Sequence, residues 1–271
     1  MPPEQHSTLD PSGDEIRRWG KNAVETMADY LGSIRDRRVY PDTSSGAIRE
    51  KLNRALPVDG IEFERLLEKF RELVDLSRRS GHPRMFGYVQ APGTAVAALA
   101  DLLASTLNAN VTAWCSAPAA VELEHLTIDW IKQLLGYDLQ AAGLFVSGGS
   151  IANLAALAAA RHAKAPENFS SKGAQAITRT MRVYASTETH FSIAKAATLL
   201  GIGRENVCGV KVDDRFKIDI DDLTAKITDD LAAGYLPFCV VANAGTVNTG
   251  AFDSIAEISR VEFRMLVDFA R

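Results

Sequence analysis

Residues 144–154 read LFVSGGSIANL, and this stretch decides the fold of the chain. The apolar run at its start predicts a short strand, and the alanine-rich residues that follow its end predict a helix. Between them Gly148, Gly149 and Ser150 predict a tight turn. Glycines let the main chain approach an anion closely, and the first N–H groups of a helix are unpaired donors. The stretch therefore predicts a strand, turn and helix unit that can bind a phosphate.

The turn lacks the usual signatures of a nucleotide site. It contains no GxGxxG, and no lysine follows the glycines as in a Walker loop. A plain glycine turn with Ser150 as the N-cap of the helix is the alternative to anion binding. The stretch by itself leaves both interpretations open.

Short apolar runs alternate with helical patterns after residue 144. The runs lie at 144–146, 181–184, 207–212 and 238–241, and the helical patterns lie at 151–162, 191–200 and 220–232. Alternation of this kind is typical of parallel strands that are buried under helices on both faces. The sequence thus predicts an α/β/α domain with a mostly parallel sheet.

The chain before this region is helical in pattern, because apolar residues recur at spacings of three and four. These helical segments lie at 13–39, 61–76, 94–107 and 118–135. Residues 40–52 are rich in turn formers and predict a connection. We predict an N-terminal helical arm at 1–81 and an α/β/α domain at 82–271 that is still incomplete at its end.

Composition excludes several classes of function. The net charge is −4 and the pI is about 5.8, and no cluster of Lys and Arg contains interleaved aromatics, so we expect no nucleic-acid partner. No stretch approaches the roughly 18 uncharged apolar residues of a membrane span, so we expect no membrane partner and a cytoplasmic protein. Cys115, Cys208 and Cys239 form neither a CxxC pair nor a zinc-like spacing with histidine, and we expect no metal site.

Four further stretches follow a fixed order around the glycine turn. They are HPRMFGY at 82–88, PAAVELE at 118–124, STETHFS at 186–192 and NAGTVNTGAFD at 243–253. The ordered set resembles the group II pyridoxal-phosphate (PLP) dependent decarboxylases, whose members act on aromatic amino acids, histidine, glutamate or cysteine sulfinate. The resemblance covers about residues 14–268. It implies fold type I of the PLP-dependent transferases and an arm that wraps the partner subunit of a homodimer.

The resemblance implies cofactor contacts for individual residues. In that family the serine-containing turn holds the cofactor phosphate, which assigns Gly148, Gly149 and Ser150. The histidine after the next strand stacks on the pyridine ring and acts in catalysis, which assigns His190. The hydroxyl of Thr246 corresponds to a threonine that contacts the cofactor.

Three other side chains keep two interpretations each. The resemblance implies that Asp268 binds the pyridine nitrogen, although the match needs a one-residue slip, and a surface aspartate is the alternative. Tyr88 matches an aromatic residue near the amino-acid substrate, with a packed tyrosine as the alternative. Asp253 precedes a helical pattern, and we predict that it caps that helix rather than serves the site.

The implied activity is PLP-dependent decarboxylation of an L-amino acid, a carboxy-lyase reaction. In relatives the lysine that binds the cofactor covalently lies beyond residue 271, so we expect the C-terminal part to be missing and this fragment to be inactive. Another PLP enzyme of fold type I, or a truncated paralogue that keeps only binding or dimer surfaces, is the alternative. Ala117, Val121 and Ile151 replace common family residues and leave the identity of the amino acid open.

Overall fold

A computed structural model describes residues 11–52, 55–56, 58–88 and 90–261. The chain divides into two compact units between Asn110 and Val111. The arm and domain boundary between residues 81 and 82 stays a prediction. Asp268 lies outside the described residues. No helix in the described ranges has the length and apolar character needed to cross a membrane.

The first unit is helical. Its helices are α1 (Gly13–Ser33), α2 (Ser45–Leu52), α3 (Phe63–Asp75) and α4 (Ala95–Leu107). Helix α1 packs on α3, where the rings of Trp19 and Phe63 stack with centroids 5.3 Å apart. Nearby, Arg71 donates from Nη2 to the buried Thr26 hydroxyl at 2.8 Å. The helices predicted at 13–39, 61–76 and 94–107 are confirmed. The turn-rich interpretation of 40–52 is wrong at α2, because good helix formers follow Ser45 and Gly46 and continue the helix to Leu52.

The second unit contains the sheet. Its helices are α5 (Pro118–Leu135), α6 (Gly149–Lys164), α7 (Phe169–Lys172), α8 (Ser192–Leu199) and α9 (Ile220–Ala232), and residues 255–261 are also helical. Its strands are β1 (Met181–Ser186), β2 (Val207–Val210) and β3 (Leu236–Val241). Within the described ranges these strands form one parallel sheet in the order β2-β1-β3.

The strand predicted at 144–146 is wrong. Leu144 and Phe145 are exposed, and no described strand lies beside them. The Phe145 N–H instead donates to Glu124 Oε1 of α5 at 2.9 Å. An apolar run becomes a strand only where a neighbouring strand satisfies its main-chain groups, and this run has a side-chain acceptor instead.

The sheet is buried on both faces, as the sequence predicts. On one face, Met181 and Val183 of β1 pack with residues of α6 and α8 such as Leu157 and Ile193. On the other face, Tyr184 packs with residues that include Leu223 and Ile227 of α9 and the buried Ile258. Successive side chains of a strand point to opposite faces, so a continuous apolar strand is typical of a sheet with two covered faces.

A polar cluster lies between α9 and the sheet, on the face where Tyr184 packs. The Tyr184 hydroxyl donates to Asp230 Oδ2 at 2.7 Å, and the Cys208 Sγ lies 3.6 Å from the same oxygen. Arg182 Nε is 3.6 Å from Asp230 Oδ2 and balances its charge. Burial and the neighbouring Asp230 raise the pKa of Tyr184, and burial raises the pKa of the Cys208 thiol to about 11.

The free energy of unfolding should fall as the pH rises from 9.0, the ordinary pKa of the thiol, to about 11, its pKa in the folded protein. Across this window the unfolded chain has lost the Cys208 proton while the folded protein still holds it, so rising pH favours unfolding. Urea unfolding at a series of alkaline pH values measures the slope. The variant Cys208→Ala should show a smaller slope than the wild type, and identical slopes would contradict the assignment.

Candidate functional site

Two of the stretches singled out by the sequence follow strands at the carboxyl edge of the sheet. Strand β1 ends at Ser186 and leads through His190 into α8, and β3 ends at Val241 and leads into the loop at 243–253. Open α/β sheets bind ligands outside the carboxyl ends of their strands. This edge of the second unit is therefore the candidate site.

The glycine turn opens toward solvent at the start of α6. Gly148 is the N-cap residue, with φ of +156°, an angle that side-chain-bearing residues rarely adopt. A Cβ atom added to Gly148 or Gly149 would meet no heavy atom within 4 Å. The helix begins at Gly149, so the alternative in which Ser150 is the N-cap is wrong.

The donors of this turn fit an anion. The N–H groups of Ile151 and Ala152 both donate to the Gly148 carbonyl at 3.0 Å. In the described parts of the chain, the N–H groups of Gly149 and Ser150 have no acceptor. The first turn carries no acidic side chain, and the positive end of the helix dipole lies here. This turn is suitable for a phosphate because it offers two free N–H donors, a hydroxyl and an open approach.

His190 is tied to the helix that carries the glycine turn. Its Nδ1 atom lies 2.9 Å from Ser192 Oγ, and the main-chain N–H of Ser192 donates to the same Nδ1 at 3.3 Å. Asn153 of α6 donates from Nδ2 to Ser192 Oγ at 2.8 Å. The imidazole itself is exposed and contacts the Phe191 ring, with centroids 4.1 Å apart. Since Asn153 lies about 6 Å along the helix axis from Gly149, the turn and the imidazole share one corner of the sheet edge.

A buried carboxylate organises the loop after β3. Asp253 accepts hydrogen bonds from the N–H groups of Ile218 and Asn243, at 2.7 and 2.6 Å, and from the Asn243 side-chain amide at 3.0 Å. The same amide lies 3.1 Å from Ser186 Oγ and 3.0 Å from Thr189 Oγ1. This cluster connects the loops that follow β1 and β3.

The cap predicted for Asp253 is wrong, because both carboxylate oxygens are used by Ile218 and Asn243. The sequence reasoning also missed Asn243. A signal was present in Gly245 and Gly250, which adopt φ of +94° and +69°. Such glycines allow a tight loop that brings positions 243 and 253 together.

Thr246 lies in the same loop and is buried. Its Oγ1 accepts from the Ala251 N–H at 3.1 Å and lies 2.5 Å from Thr249 Oγ1. These bonds hold the hydroxyl within the loop. Its contact with a cofactor stays a prediction.

Tyr88 belongs to the first unit, at the end of the HPRMFGY stretch. Its φ is +67° and its side chain is exposed. The guanidinium of Arg78 lies 4.7 Å from the centroid of its ring. His82 at the start of the stretch is buried, and its Nδ1 accepts the Arg84 N–H at 3.0 Å. The substrate role of Tyr88 stays a prediction.

A comparison with known families identifies the family of the chain. Residues 46–268 match the pyridoxal-dependent decarboxylase conserved domain. The chain belongs to the pyridoxal-dependent decarboxylase family. The resemblance to the group II decarboxylases is thereby confirmed, and the cofactor of the family is PLP.

Curated relatives carry related names. The chain is 36% identical over 252 residues to the aromatic-L-amino-acid decarboxylase of Bacillus atrophaeus, which covers 93% of this chain and 51% of the relative. It is 31% identical over 261 residues to the histidine decarboxylase of Drosophila melanogaster, which covers 91% of this chain and 30% of the relative. The chain therefore spans about half, or less, of the length of these relatives.

Solved structures confirm the predicted fold class. Mouse CSAD superimposes with a TM-score of 0.85 at 27% identity, over 94% of this chain and 53% of the mouse chain. The Oryza sativa TDC structure with PLP and tryptamine gives a TM-score of 0.85 at 26% identity, over 93% of this chain and 56% of the rice chain. The α/β fold with a parallel sheet is thus that of PLP-dependent decarboxylases.

Proposed function

We propose that this chain carries the PLP-binding site of a decarboxylase that acts on an L-amino acid. The observation that carries the proposal is the corner formed by α6 and α8. There an open glycine turn with free N–H donors and an exposed imidazole are linked through Asn153 and Ser192. A phosphate site beside a flat ring matches the two ends of PLP.

The phosphate end would be held by the glycine turn. The N–H groups of Gly149 and Ser150 and the Ser150 hydroxyl would donate to phosphate oxygens, while Gly148 leaves room for them. The positive end of the α6 dipole adds to the attraction.

The ring end would be covered by His190, whose imidazole can stack on a pyridine and exclude water from one face. Thr246 and Asp268 complete the proposal. The carboxylate of Asp268 would hold a proton on the pyridine nitrogen, and the Thr246 hydroxyl would contact the ring. Bound PLP supplies an electron sink for the electron pair left when CO2 departs from an amino acid. His190 would present a ring N–H to the substrate, and Tyr88 would contact the substrate side chain.

The substrate class is inferred from the relatives' names, which include aromatic-L-amino-acid and histidine decarboxylases. We infer an L-amino acid. Release of labelled CO2 from a panel of carboxyl-labelled amino acids tests the choice, in a version of the protein extended by the lysine-bearing C-terminal part of a relative. Aromatic amino acids and histidine belong in the panel together with glutamate and cysteine sulfinate. Retention of the label with every member, although PLP binds, would contradict a decarboxylase.

We also propose a cytoplasmic homodimer. Support for the dimer comes from α3, where Leu66, Phe70 and Leu73 are exposed at helical spacing. An apolar stripe of this kind suits a helix that packs against a partner subunit. Sedimentation of the protein tests the oligomeric state.

The variant Ser150→Ala should weaken PLP binding roughly 10-fold or more, because it removes a hydrogen bond to a charged phosphate. Titration followed by PLP absorption and fluorescence measures the dissociation constant. Ser171→Ala is the matched control, since that serine donates to the Asn168 carbonyl near the end of another helix. Pyridoxal, which lacks the phosphate, should compete poorly.

Two outcomes would contradict this assignment. One is equal PLP affinity in the wild type and Ser150→Ala. The other is equal competition by pyridoxal and PLP, which would show that the turn does not read the phosphate. Absence of any PLP binding would favour a non-catalytic protein instead.

A further inference from the structure

The bonds around His190 determine which ring nitrogen carries the proton. A neutral imidazole has one N–H donor and one acceptor nitrogen. The Ser192 main-chain N–H points at Nδ1 from 3.3 Å, and a main-chain N–H is always a donor. Nδ1 is therefore the acceptor, and the proton lies on Nε2.

The side chains around Nδ1 agree with this direction. Ser192 Oγ lies 2.9 Å from Nδ1 and must donate its proton to that acceptor. Its oxygen is then free to accept, and Asn153 Nδ2 donates to it at 2.8 Å. Ser192 is only 2% exposed, so water is nearly absent from this chain of bonds. The hydrogen bonds thus run in one direction, from Asn153 through Ser192 to His190, and we call these two side-chain bonds the relay.

We propose that Asn153 and Ser192 are positioning residues that hold the His190 ring in its Nε2–H tautomer and in one orientation. Nε2 has no acceptor among the residues that the structure describes. The ring therefore offers a hydrogen-bond donor at the sheet edge. This inference rests on the proposed function. In that function the Nε2–H group would face the carboxylate of the amino-acid substrate, which accepts a hydrogen bond, and not a group that donates one.

The arrangement couples the phosphate turn to the imidazole. Asn153 stands on the helix whose first residues form the turn, and Ser192 stands at the first position of α8. A shift of α6 on phosphate binding would reach His190 through two hydrogen bonds. Asn153 and His190 are 37 positions apart in the sequence, so it is the fold that brings them together.

Nitrogen NMR of the protein with ¹⁵N-labelled histidine tests the proposal without any cofactor. At alkaline pH, where imidazoles are neutral, the ring nitrogens distinguish the two tautomers. The spectrum of His190→Gln identifies the signals of His190 by their loss. We expect the Nε2–H form to dominate in the wild type.

Two variants change the relay in different ways. Ser192→Ala removes the donor to Nδ1 and should raise the share of the Nδ1–H form roughly 2- to 12-fold, the effect of one neutral hydrogen bond. Asn153→Asp changes little in size but provides only acceptors. The Ser192 hydroxyl would then turn toward the carboxylate, and its oxygen would accept from Nδ1–H. The Ser192 main-chain N–H still points at Nδ1 in both variants and favours the Nε2–H form. Asn153→Asp should therefore raise the share of the Nδ1–H form more than Ser192→Ala does, without abolishing the Nε2–H form.

Thr198→Ala is the matched control, because it removes a hydroxyl of the same helix that donates to the Ala194 carbonyl. It should leave the tautomer ratio unchanged. If Ser192→Ala fails to fold, Asn153→Asp decides alone. A dominant Nδ1–H form in the wild type, or an unchanged ratio in Asn153→Asp, would overturn the proposal.

Addition of PLP separates this proposal from the proposed function. If PLP shifts the His190 ring signals and the variants leave the tautomer ratio unchanged, the site binds PLP and the relay is wrong. If the variants change the ratio and PLP leaves the signals unchanged, the relay stands and the assignment of the site to PLP is wrong.

Discussion

Replacing His190 by alanine, in a version of the chain extended by the lysine-bearing C-terminal part of a relative, should lower turnover about 100-fold or more, a typical contribution of a positioned proton donor or acceptor. The loss should come from the chemical step, because the imidazole would act on bound substrate and on the cofactor ring. The free energy of unfolding should change little, since the side chain is exposed and, among the described residues, hydrogen-bonds only to Ser192 at the start of α8.

His190→Phe separates the two roles of the ring. Phenylalanine keeps a flat surface that can stack on a pyridine but has no N–H, so PLP binding should persist while turnover falls. His162→Ala is the matched control, because that exposed histidine lies near the end of α6 and contacts Phe169. Rates of CO2 release and PLP titrations measure the two effects. Equal turnover in wild type and His190→Ala would remove His190 from the mechanism.

The sheet was predictable because its strands carry their own signal. Strands β1 and β3 are apolar runs with few charges, as expected for strands covered on both faces. Helix α5 was predicted to its ends, since Pro118 suits the first turn and Gly136 adopts the left-handed conformation that ends helices. Where local propensity and burial agree, sequence alone is sufficient.

The run at 144–146 shows where local signals fail. Its composition is that of a strand, yet a strand also requires a hydrogen-bonded neighbour. Neighbouring strands come from distant sequence, and periodicity contains no information about them. The opposite error occurs at α2, where a helix was missed. The serines and the glycine near its start resemble a turn, while the residues that follow are good helix formers.

The glycine turn and His190 were found through ordered stretches of sequence, whereas their hydrogen-bond partners were not. Asn153 and Ser192 are ordinary helix residues by pattern, and 39 residues separate them. Asn243 and Thr189 are 54 residues apart. Side chains of this kind become visible only when the fold places their helices and loops side by side.

Replacing Asp253 by alanine should destabilise the second unit by about 3–5 kcal/mol, the largest effect on stability that we expect from a single polar side chain here. Asp253 is 7% exposed, and its carboxylate accepts from the N–H groups of Ile218 and Asn243. Each buried donor left without an acceptor costs about 1–3 kcal/mol. Water reaches such a position poorly and would restore little of the loss.

Asp213→Ala is the matched control for this effect. The Asp213 carboxylate also accepts two main-chain hydrogen bonds, from Lys217 at 2.9 Å and Arg215 at 2.8 Å, but it is exposed. The bond from Lys217 lowers the pKa of Asp213, which shows that the geometry favours the charged form. Water can replace the carboxylate at this position, so Asp213→Ala should lower the free energy of unfolding far less than Asp253→Ala.

The loss of Asp253 should also reach the candidate site. Without the carboxylate, Asn243 loses the partner that orients its amide toward Ser186 and Thr189. Thr189 directly precedes His190, so the loop that presents the imidazole would become less ordered and PLP affinity should fall together with stability. Asp253→Asn keeps one acceptor oxygen and should lie between the wild type and Asp253→Ala in both measurements. Urea unfolding and PLP titration of the three proteins test the link, and a destabilised Asp253→Ala that binds PLP as tightly as the wild type would show that this cluster supports the fold alone.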